Sequence, residues 1–295
     1  MTILSKSMKK IILLTMMLTL VLSLANCGAR KKGSSAGGDT KESITVKGSD
    51  TMVILGQRWA EVYMKGNKKA SVQVTGGGSG VGIAALINGS TDLANASRKM
   101  KDKEKKKLEA HGVKEIVTAK DGLTVYLHKD NPVTELSFNQ LKQMYTLKIT
   151  NWKEVGGPDA KIVLYGRDNS SGTYAYFKKH VLNKEDFAQE TQTLPGTSAI
   201  VNAISKDING VGYGGKAYAE GVKAVKIKKG DSDEACLPTE ENVATGKYPL
   251  ARPLHIYTTE KILKAKPHIQ KYIDWILTQK GQSIVKDVGY YPINK

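Results

Sequence analysis

The chain has 295 residues, of which 40% are hydrophobic and 25% charged, and its formal net charge is +17. This length and apolar content suffice for one large or two medium folded domains, which excludes a mostly disordered chain. The positive charge favours anionic ligands or membrane surfaces. Nucleic acid is not expected as a partner, because only 6% of the residues are aromatic and the densest basic run, residues 98–107, has none for base stacking.

The first 26 residues have the organisation of a secretory signal peptide, with a basic start and an apolar stretch over 11–24 that is too short for a membrane span. The following Leu-Ala-Asn-Cys resembles a bacterial lipobox. Asn26 departs from the usual small residue before the cysteine, so an ordinary signal peptide with an incidental cysteine is the alternative. We expect an exported lipoprotein that is anchored through Cys27, with residues 27–43 as a flexible tether.

The cysteines and histidines indicate neither a disulfide framework nor a metal site. Cys27 and Cys236 are the two cysteines of the chain, and acylation of the first leaves no pair. Five histidines are scattered without ligand spacing. We therefore expect no structural or catalytic metal and no cofactor.

Short apolar runs and amphipathic stretches alternate from residue 44 onwards, which predicts an α/β fold with mostly parallel sheets flanked by helices. The clearest helix is predicted over 267–280, where Pro267 suits the first turn and Gly281 is expected to end the helix. Strands are predicted near 44–47, 71–74, 91–95, 115–118, 122–128, 161–165, 210–214, 222–228 and 253–257, and helices near 52–65, 80–88, 101–110, 137–146, 172–182, 197–206 and 267–280.

Three of the predicted strands end in loops of small and hydroxyl-bearing residues, at 48–51, 75–80 and 167–173, and each loop precedes a helix. Helix N-termini carry unpaired backbone N–H groups and a partial positive charge, so each loop is suited to holding an oxyanion. Ligands of open α/β sheets bind beyond the carboxyl ends of the strands. A cleft between two lobes would bring the three loops together.

Six motifs follow one another in order, at 44–51, 75–83, 92–98, 149–157, 166–173 and 210–213. Together they resemble the phosphate-binding protein of the bacterial phosphate ABC importer, and the resemblance extends from about residue 44 to the end of the chain. It implies the two-lobed type II periplasmic-binding-protein fold with the ligand cleft between the lobes. Lobe 1 would comprise 44–119 and about 225–295, and lobe 2 about 120–224.

The resemblance also implies a function and a set of ligand positions. The protein would capture inorganic phosphate outside the cytoplasm, as a periplasmic or cell-surface monomer, and deliver it to the permease subunits of an ABC transporter. An arginine fork and hydroxyl donors suit phosphate oxygens. The implied phosphate-binding residues are Ser49, Thr51, Met52, Ser79, Gly80, Arg98, Arg167, Ser171, Gly172 and Thr173.

Arg98 departs from the best-known members of the family, which carry at this position an aspartate that accepts the proton of phosphate. A second guanidinium would attract any dianion, so the usual discrimination against sulfate does not transfer. A receptor for sulfate, molybdate or a phosphonate is therefore the alternative. Arg98 could instead turn outward and pair with Asp102 or Glu104.

Enzyme motifs are present only in incomplete form. Residues 210–217 nearly match a phosphate-binding ATPase loop, but Ala217 lacks the hydroxyl that magnesium requires. Residues 80–85 imitate a dinucleotide fingerprint without its acidic partner, and Ser79 lacks the glycine of a nucleophile elbow. We therefore predict a binding protein rather than an enzyme, with a weak phosphatase-like activity and a surface adhesin as lesser alternatives.

Overall fold

The computed structural model describes residues 41–293. The predicted signal peptide, Cys27 and most of the predicted tether lie outside these residues. The last residues of the predicted tether do not, since the first strand already begins at Glu42. Within 41–293, no helix combines the length and the apolar character that a membrane crossing requires.

Strands and helices alternate through most of the described chain. The strands are β1 Glu42–Gly48, β2 Ala70–Gly77, β3 Leu93–Ala96, β4 Val113–Leu127, β5 Glu135–Ser137, β6 Val163–Arg167, β7 Gln192–Leu194, β8 Gly210–Gly215, β9 Lys223–Ala224, β10 Lys226–Lys228 and β11 Ala251–Thr259. The helices are α1 Val53–Gly66, α2 Ser79–Ile87, α3 Asp102–Leu108, α4 Phe138–Tyr145, α5 Gly172–His180, α6 Gly196–Ile204, α7 Glu240–Ala244, α8 Glu260–Ala265, α9 Pro267–Leu277 and α10 Gln279–Asp287. Short 3-10 helices lie at Asp50–Met52, Glu109–His111, Trp152–Val155 and Lys216–Tyr218.

Two long strands organise the main sheet, whose order is β2-β1-β3-β11-β4-β8-β6-β7 with β9 paired to β4. The pairings among the shorter strands are parallel, whereas every antiparallel pairing involves β4 or β11. The α/β fold is as predicted, but the sheet is mixed rather than mostly parallel: its outer parts are parallel and its centre is antiparallel. The strands predicted separately near 115–118 and 122–128 are one continuous strand, β4.

Two hydrophobic cores define the lobes. The first packs β1, β2 and the start of β4 against α1, α9 and α10, and the second packs the end of β4, β6 and β8 against α4 and α5. We call these lobe 1 and lobe 2. The chain between about 225 and 250, expected in lobe 1, packs in lobe 2 instead, because β10 pairs with β5 and residues such as Tyr248 and Leu250 are buried in the second core.

The strands β4 and β11 connect the lobes as a pair of hinge strands. They form an antiparallel ladder from Val113–Thr259 at one end to Gly122–Ala251 at the other, with an irregularity beside Leu254. Beyond Gly122, β4 continues into lobe 2 and pairs with β8. Residues that follow β3 and β6 contact Arg252 in β11, namely Ser97 and Thr173.

The C-terminal helix differs from its prediction at Gly281, which lies inside α10 rather than ending α9. The break falls at Thr278, whose hydroxyl caps α10 by accepting from Gly281 N at 3.2 Å. A Cβ at Gly281 would lie 2.5 Å from the carbonyl oxygen of Trp275 and closer still to that of Ile276. Glycine is therefore required here by close packing of two helices rather than by a helix end.

Candidate functional site

The first loop of the site leaves β1 at Gly48, where the backbone has a φ of +142° and a side chain would collide with the carbonyl oxygen of Asn95. Ser49 N donates to the same carbonyl oxygen at 2.8 Å, which ties the loop to the end of β3. The chain then turns into the 3-10 helix Asp50–Met52. This turn buries the side chains of Ser49 and Thr51.

The second loop leaves β2 through two glycines with positive φ, Gly77 at +107° and Gly78 at +93°, and α2 begins at Ser79. The buried Ser79 Oγ accepts from Ser97 N at 3.0 Å. Ser97 Oγ in turn accepts from Ser49 Oγ at 3.0 Å. Three buried hydroxyls from the ends of β1, β2 and β3 thus form one cluster in lobe 1.

The third loop follows β6 in lobe 2 and ends at the N-terminus of α5. Ser171 caps this helix, since its hydroxyl accepts from Tyr174 N at 3.2 Å. The N–H groups of Gly172 and Thr173 lie in the first turn and have no acceptor within the helix. The loop therefore presents two backbone donors and the hydroxyls of Ser171 and Thr173, all at the positive end of a helix.

The loops from the two lobes meet directly. Thr51 Oγ1 and Thr173 Oγ1 are 2.9 Å apart, and Gly80 N donates to Ser170 O at 2.8 Å. Gly172 faces the serine cluster so closely that a Cβ there would lie 2.7 Å from Ser97 Oγ. The predicted convergence of the three loops is thus present in the structure.

Arg167, at the end of β6, is buried between the lobes. Its Nη2 donates to Asp50 Oδ2 of lobe 1 at 2.8 Å, and its Nη1 to Thr197 Oγ1 of lobe 2 at 2.9 Å. Its Nε is buried and has no hydrogen-bond partner among the described residues. Burial lowers the pKa of the guanidinium, while Asp50 raises it and the nearby Arg252 lowers it further. An arginine nevertheless stays protonated in proteins, so Arg167 is a cation with a buried Nε that has no partner among the described residues.

Four expected ligand positions have donors that bind other protein atoms. Ser49 is one of them, because its hydroxyl donates to Ser97 Oγ and its N–H to Asn95 O. Met52 N donates to Ser49 O at 2.9 Å, and Gly80 N is taken by Ser170 O. Arg98 forms two 2.8 Å hydrogen bonds to Glu104, the outward pairing that the sequence left open. The guanidinium of Arg98 therefore lies with α3 rather than with the meeting loops.

The sequence analysis missed Asp121 and Arg252. Asp121 lies in β4 and Arg252 in β11, where they face each other in register, and both are buried. The sequence did contain a signal, because Asp121 and Arg252 each directly precede an apolar stretch that is predicted to be a strand. What could not be foreseen is that Arg252 also reaches the hydroxyl of Thr173, at 2.9 Å.

The chemistry of this arrangement suits an oxyanion. Hydroxyls, helix N–H groups and guanidinium groups converge, and two nearby carboxylates, Asp50 and Asp121, each bind an arginine. Such a donor set can envelop tetrahedral oxygens without a large excess of charge.

Comparison with known proteins agrees with this geometry. The family model described as "PBP superfamily domain" matches residues 33–280. A protein of Staphylococcus epidermidis named "Phosphate-binding protein PstS" is 37% identical over 276 residues, which cover 90% of this chain and 84% of the relative.

Among solved structures, a putative phosphate ABC transporter substrate-binding protein with bound phosphate from Clostridium perfringens is 33% identical, with a TM-score of 0.78, and the match covers 85% of this chain and 100% of that one. An ABC-type phosphate transport receptor from Vibrio cholerae is 29% identical, with a TM-score of 0.68, over 84% and 99% of the two chains. With a donor-lined site between two lobes and these relatives, the chain belongs to the PBP superfamily and, within it, to the family of phosphate-binding proteins of ABC transporters.

Proposed function

We propose that this protein binds inorganic phosphate outside the cytoplasm and delivers it to the permease of an ABC importer. The names of its relatives support phosphate as the ligand, and the Clostridium perfringens structure contains it. This transport role does not depend on how the protein is attached to the membrane. Lipidation at Cys27 and a monomeric state belong to the same proposal.

The single observation that carries the proposal is the unused Nε of Arg167. A buried donor without an acceptor is costly, and a charged one more so. An anion beside Arg167 would accept from this donor and would be balanced by the guanidinium. It would also restore the hydrogen bonding that burial denies to Nε.

The remaining donors belong to both lobes. In lobe 2 they are the hydroxyls of Ser171 and Thr173 and the first N–H groups of α5, and in lobe 1 the hydroxyls of Thr51 and Ser79. The Ser49 hydroxyl already donates to Ser97 Oγ. Because neither lobe alone supplies the full set, phosphate would bind most tightly when the lobes are together. The ligand therefore shifts the protein toward the closed form by as much as it prefers that form.

The geometry favours binding over catalysis. A serine nucleophile needs a neighbouring base to accept its proton. In the described part of the chain, Ser79 Oγ contacts Ser97, and Ser171 Oγ contacts a backbone N–H, so neither has a histidine or carboxylate partner. We therefore propose a receptor rather than a hydrolase.

Calorimetric titration of the phosphate-stripped protein with phosphate, sulfate, molybdate and a phosphonate tests this function. We expect phosphate to bind with a Kd of about 1 μM or tighter, and sulfate at least about 100-fold more weakly. Equal binding of sulfate would make the protein a general oxyanion receptor. No binding of phosphate would contradict the proposal.

A further inference from the structure

Asp121 and Arg252 form a fully buried ion pair at the hinge. Arg252 Nε and Nη2 both donate to Asp121 Oδ2, at 3.0 and 2.8 Å, and the two side chains are 1% and 0% exposed. Burying both charges is costly, and well-packed apolar residues often stabilise such a position as well or better. Stability alone is therefore a poor account of this pair.

The N–H groups of Arg252 that do not bind Asp121 point to the meeting loops. Nη1 donates to Ser97 O of lobe 1 at 3.2 Å, and Nη2 donates to Thr173 Oγ1 of lobe 2 at 2.9 Å, with Thr51 Oγ1 at 3.5 Å. A guanidinium has five N–H groups. One hydrogen of Nη1 thus has no protein acceptor among the described residues, although the group is buried.

Two further contacts fix the orientation of this guanidinium. It lies over the ring of Tyr176 with 5.3 Å between Cζ and the ring centroid, and the Tyr176 hydroxyl donates to Ala251 O at 3.0 Å, beside Arg252 itself. Asp121 binds the guanidinium through its Nε and Nη2. Arg252 is thus held on two sides and faces the hydroxyls of Thr51 and Thr173, both of which the proposed function assigns to phosphate.

We propose that Arg252, positioned by Asp121, is the second guanidinium of the anion site and that it makes the site select the doubly charged form of phosphate. This inference rests on the proposed function. It places the second cation on the hinge rather than at Arg98. A cation attracts a dianion about twice as strongly as a monoanion at the same distance. Removing Arg252 should therefore weaken binding of the dianion more than binding of the monoanion.

The test compares a double variant with a matched control. In Arg252→Met/Asp121→Leu both charges of the buried pair are removed, so that neither is left unpaired. In the control, Arg58→Met/Glu61→Leu, an exposed ion pair of α1 is removed in the same way. Inorganic phosphate is titrated calorimetrically into each full chain, about one pH unit below and about one above the second pKa of phosphate.

We expect the Arg252→Met/Asp121→Leu variant to lose affinity by at least about tenfold at the higher pH and by no more than about threefold at the lower pH. The control should match the unmodified protein at both. An equal loss of phosphate affinity by the double variant at both pH values would show that the buried pair has only a structural role. Unchanged affinity would show that it has no role in binding. Either result overturns the inference.

Two additional variants keep the outcome interpretable. Arg252→Lys retains the charge and should retain the pH dependence even if affinity falls, so it decides the question should the double variant not fold. Arg167→Ala is titrated in parallel. If it abolishes binding while the double variant binds normally, the proposed function stands and only the present inference fails, whereas absence of binding by the unmodified protein would remove both.

Discussion

Arg98 lies just after a short strand and Arg167 at the end of one, and each binds a carboxylate, yet their partners differ. Arg98 binds Glu104, six residues further along the same lobe, and the two side chains are 10% and 16% exposed. Arg167 binds Asp50, which lies in the other lobe and 117 residues away in the chain, and its own side chain is 1% exposed. The first pair is local, and the second spans the cleft.

The difference shows what each arginine can do. Glu104 also accepts from Lys101 N at 2.7 Å, so the Arg98 pair fastens the start of α3. Burial acts to raise the pKa of Glu104, but the hydrogen bonds from Arg98 and Lys101 outweigh it and hold the pKa below its ordinary value. Arg167, in contrast, has a buried Nε without a hydrogen-bond partner among the described residues, and its ion pair with Asp50 joins the lobes. The two arginines thus differ in direction: Arg98 is turned toward α3, and Arg167 toward the other lobe.

The largest effect is expected from Arg167→Ala. It removes the cation at the centre of the cleft and leaves Asp50 without its partner, so phosphate affinity should fall at least tenfold, about 1.4 kcal/mol or more. Calorimetric titration measures this loss, with Arg58→Ala on the exposed face of α1 as the control. Unchanged affinity would move the site away from the meeting loops.

A somewhat smaller effect is expected from Gly172→Ala, which tests whether the loops must meet. The added Cβ would press on the hydroxyls of Ser79 and Ser97, which prevents the lobes from approaching fully. We expect affinity to fall about tenfold and small-angle scattering with saturating phosphate to show a more open shape. Gly66→Ala is the control, because a Cβ there meets nothing within 4 Å. A closed shape with full affinity would contradict this prediction.

The smallest effect on binding is expected from Arg98→Ala, which should change phosphate affinity by less than about twofold while lowering the free energy of unfolding by about 1 kcal/mol at neutral pH. The pKa of Glu104 is lowered by folding, so the contribution of the pair is complete above about 4.5, the ordinary pKa of a glutamate, and disappears as the pH falls through the lower value of the folded state.

Denaturant unfolding at several pH values measures this difference, and Glu104→Gln should remove the same contribution. A large loss of affinity in Arg98→Ala would restore Arg98 to the site. A stability difference that persists in acid would contradict the local role of the pair.

Local features of the sequence predicted much of this molecule. The three loops, their helices and Arg167 depend on neighbouring residues, and they lie close to where the motifs placed them. The ion pair of Asp121 and Arg252 could not be predicted, because it forms only when two strands about 130 residues apart in the chain pair with each other. The same holds for the chain around 225–250. Its position in the sequence favours lobe 1, but β10 pairs with β5 and therefore lies in lobe 2.

The contacts of Ser170 have a consequence for signalling to a membrane partner. Ser170 O accepts from Gly80 N at 2.8 Å, and Ser170 Oγ lies 2.9 Å from Gly77 O while also contacting Asp168 Oδ1, so part of the attraction between the lobes comes from protein atoms alone. Such contacts raise the closed population of the unliganded protein. Apparent affinity then increases, because less of the binding free energy is needed to close the lobes. They also set a minimum for the fraction of empty receptors that are closed and that a permease would not distinguish from receptors with bound phosphate. Stronger contacts at this loop would therefore raise the affinity for scarce phosphate, but they would also increase the fraction of empty receptors that bind the permease.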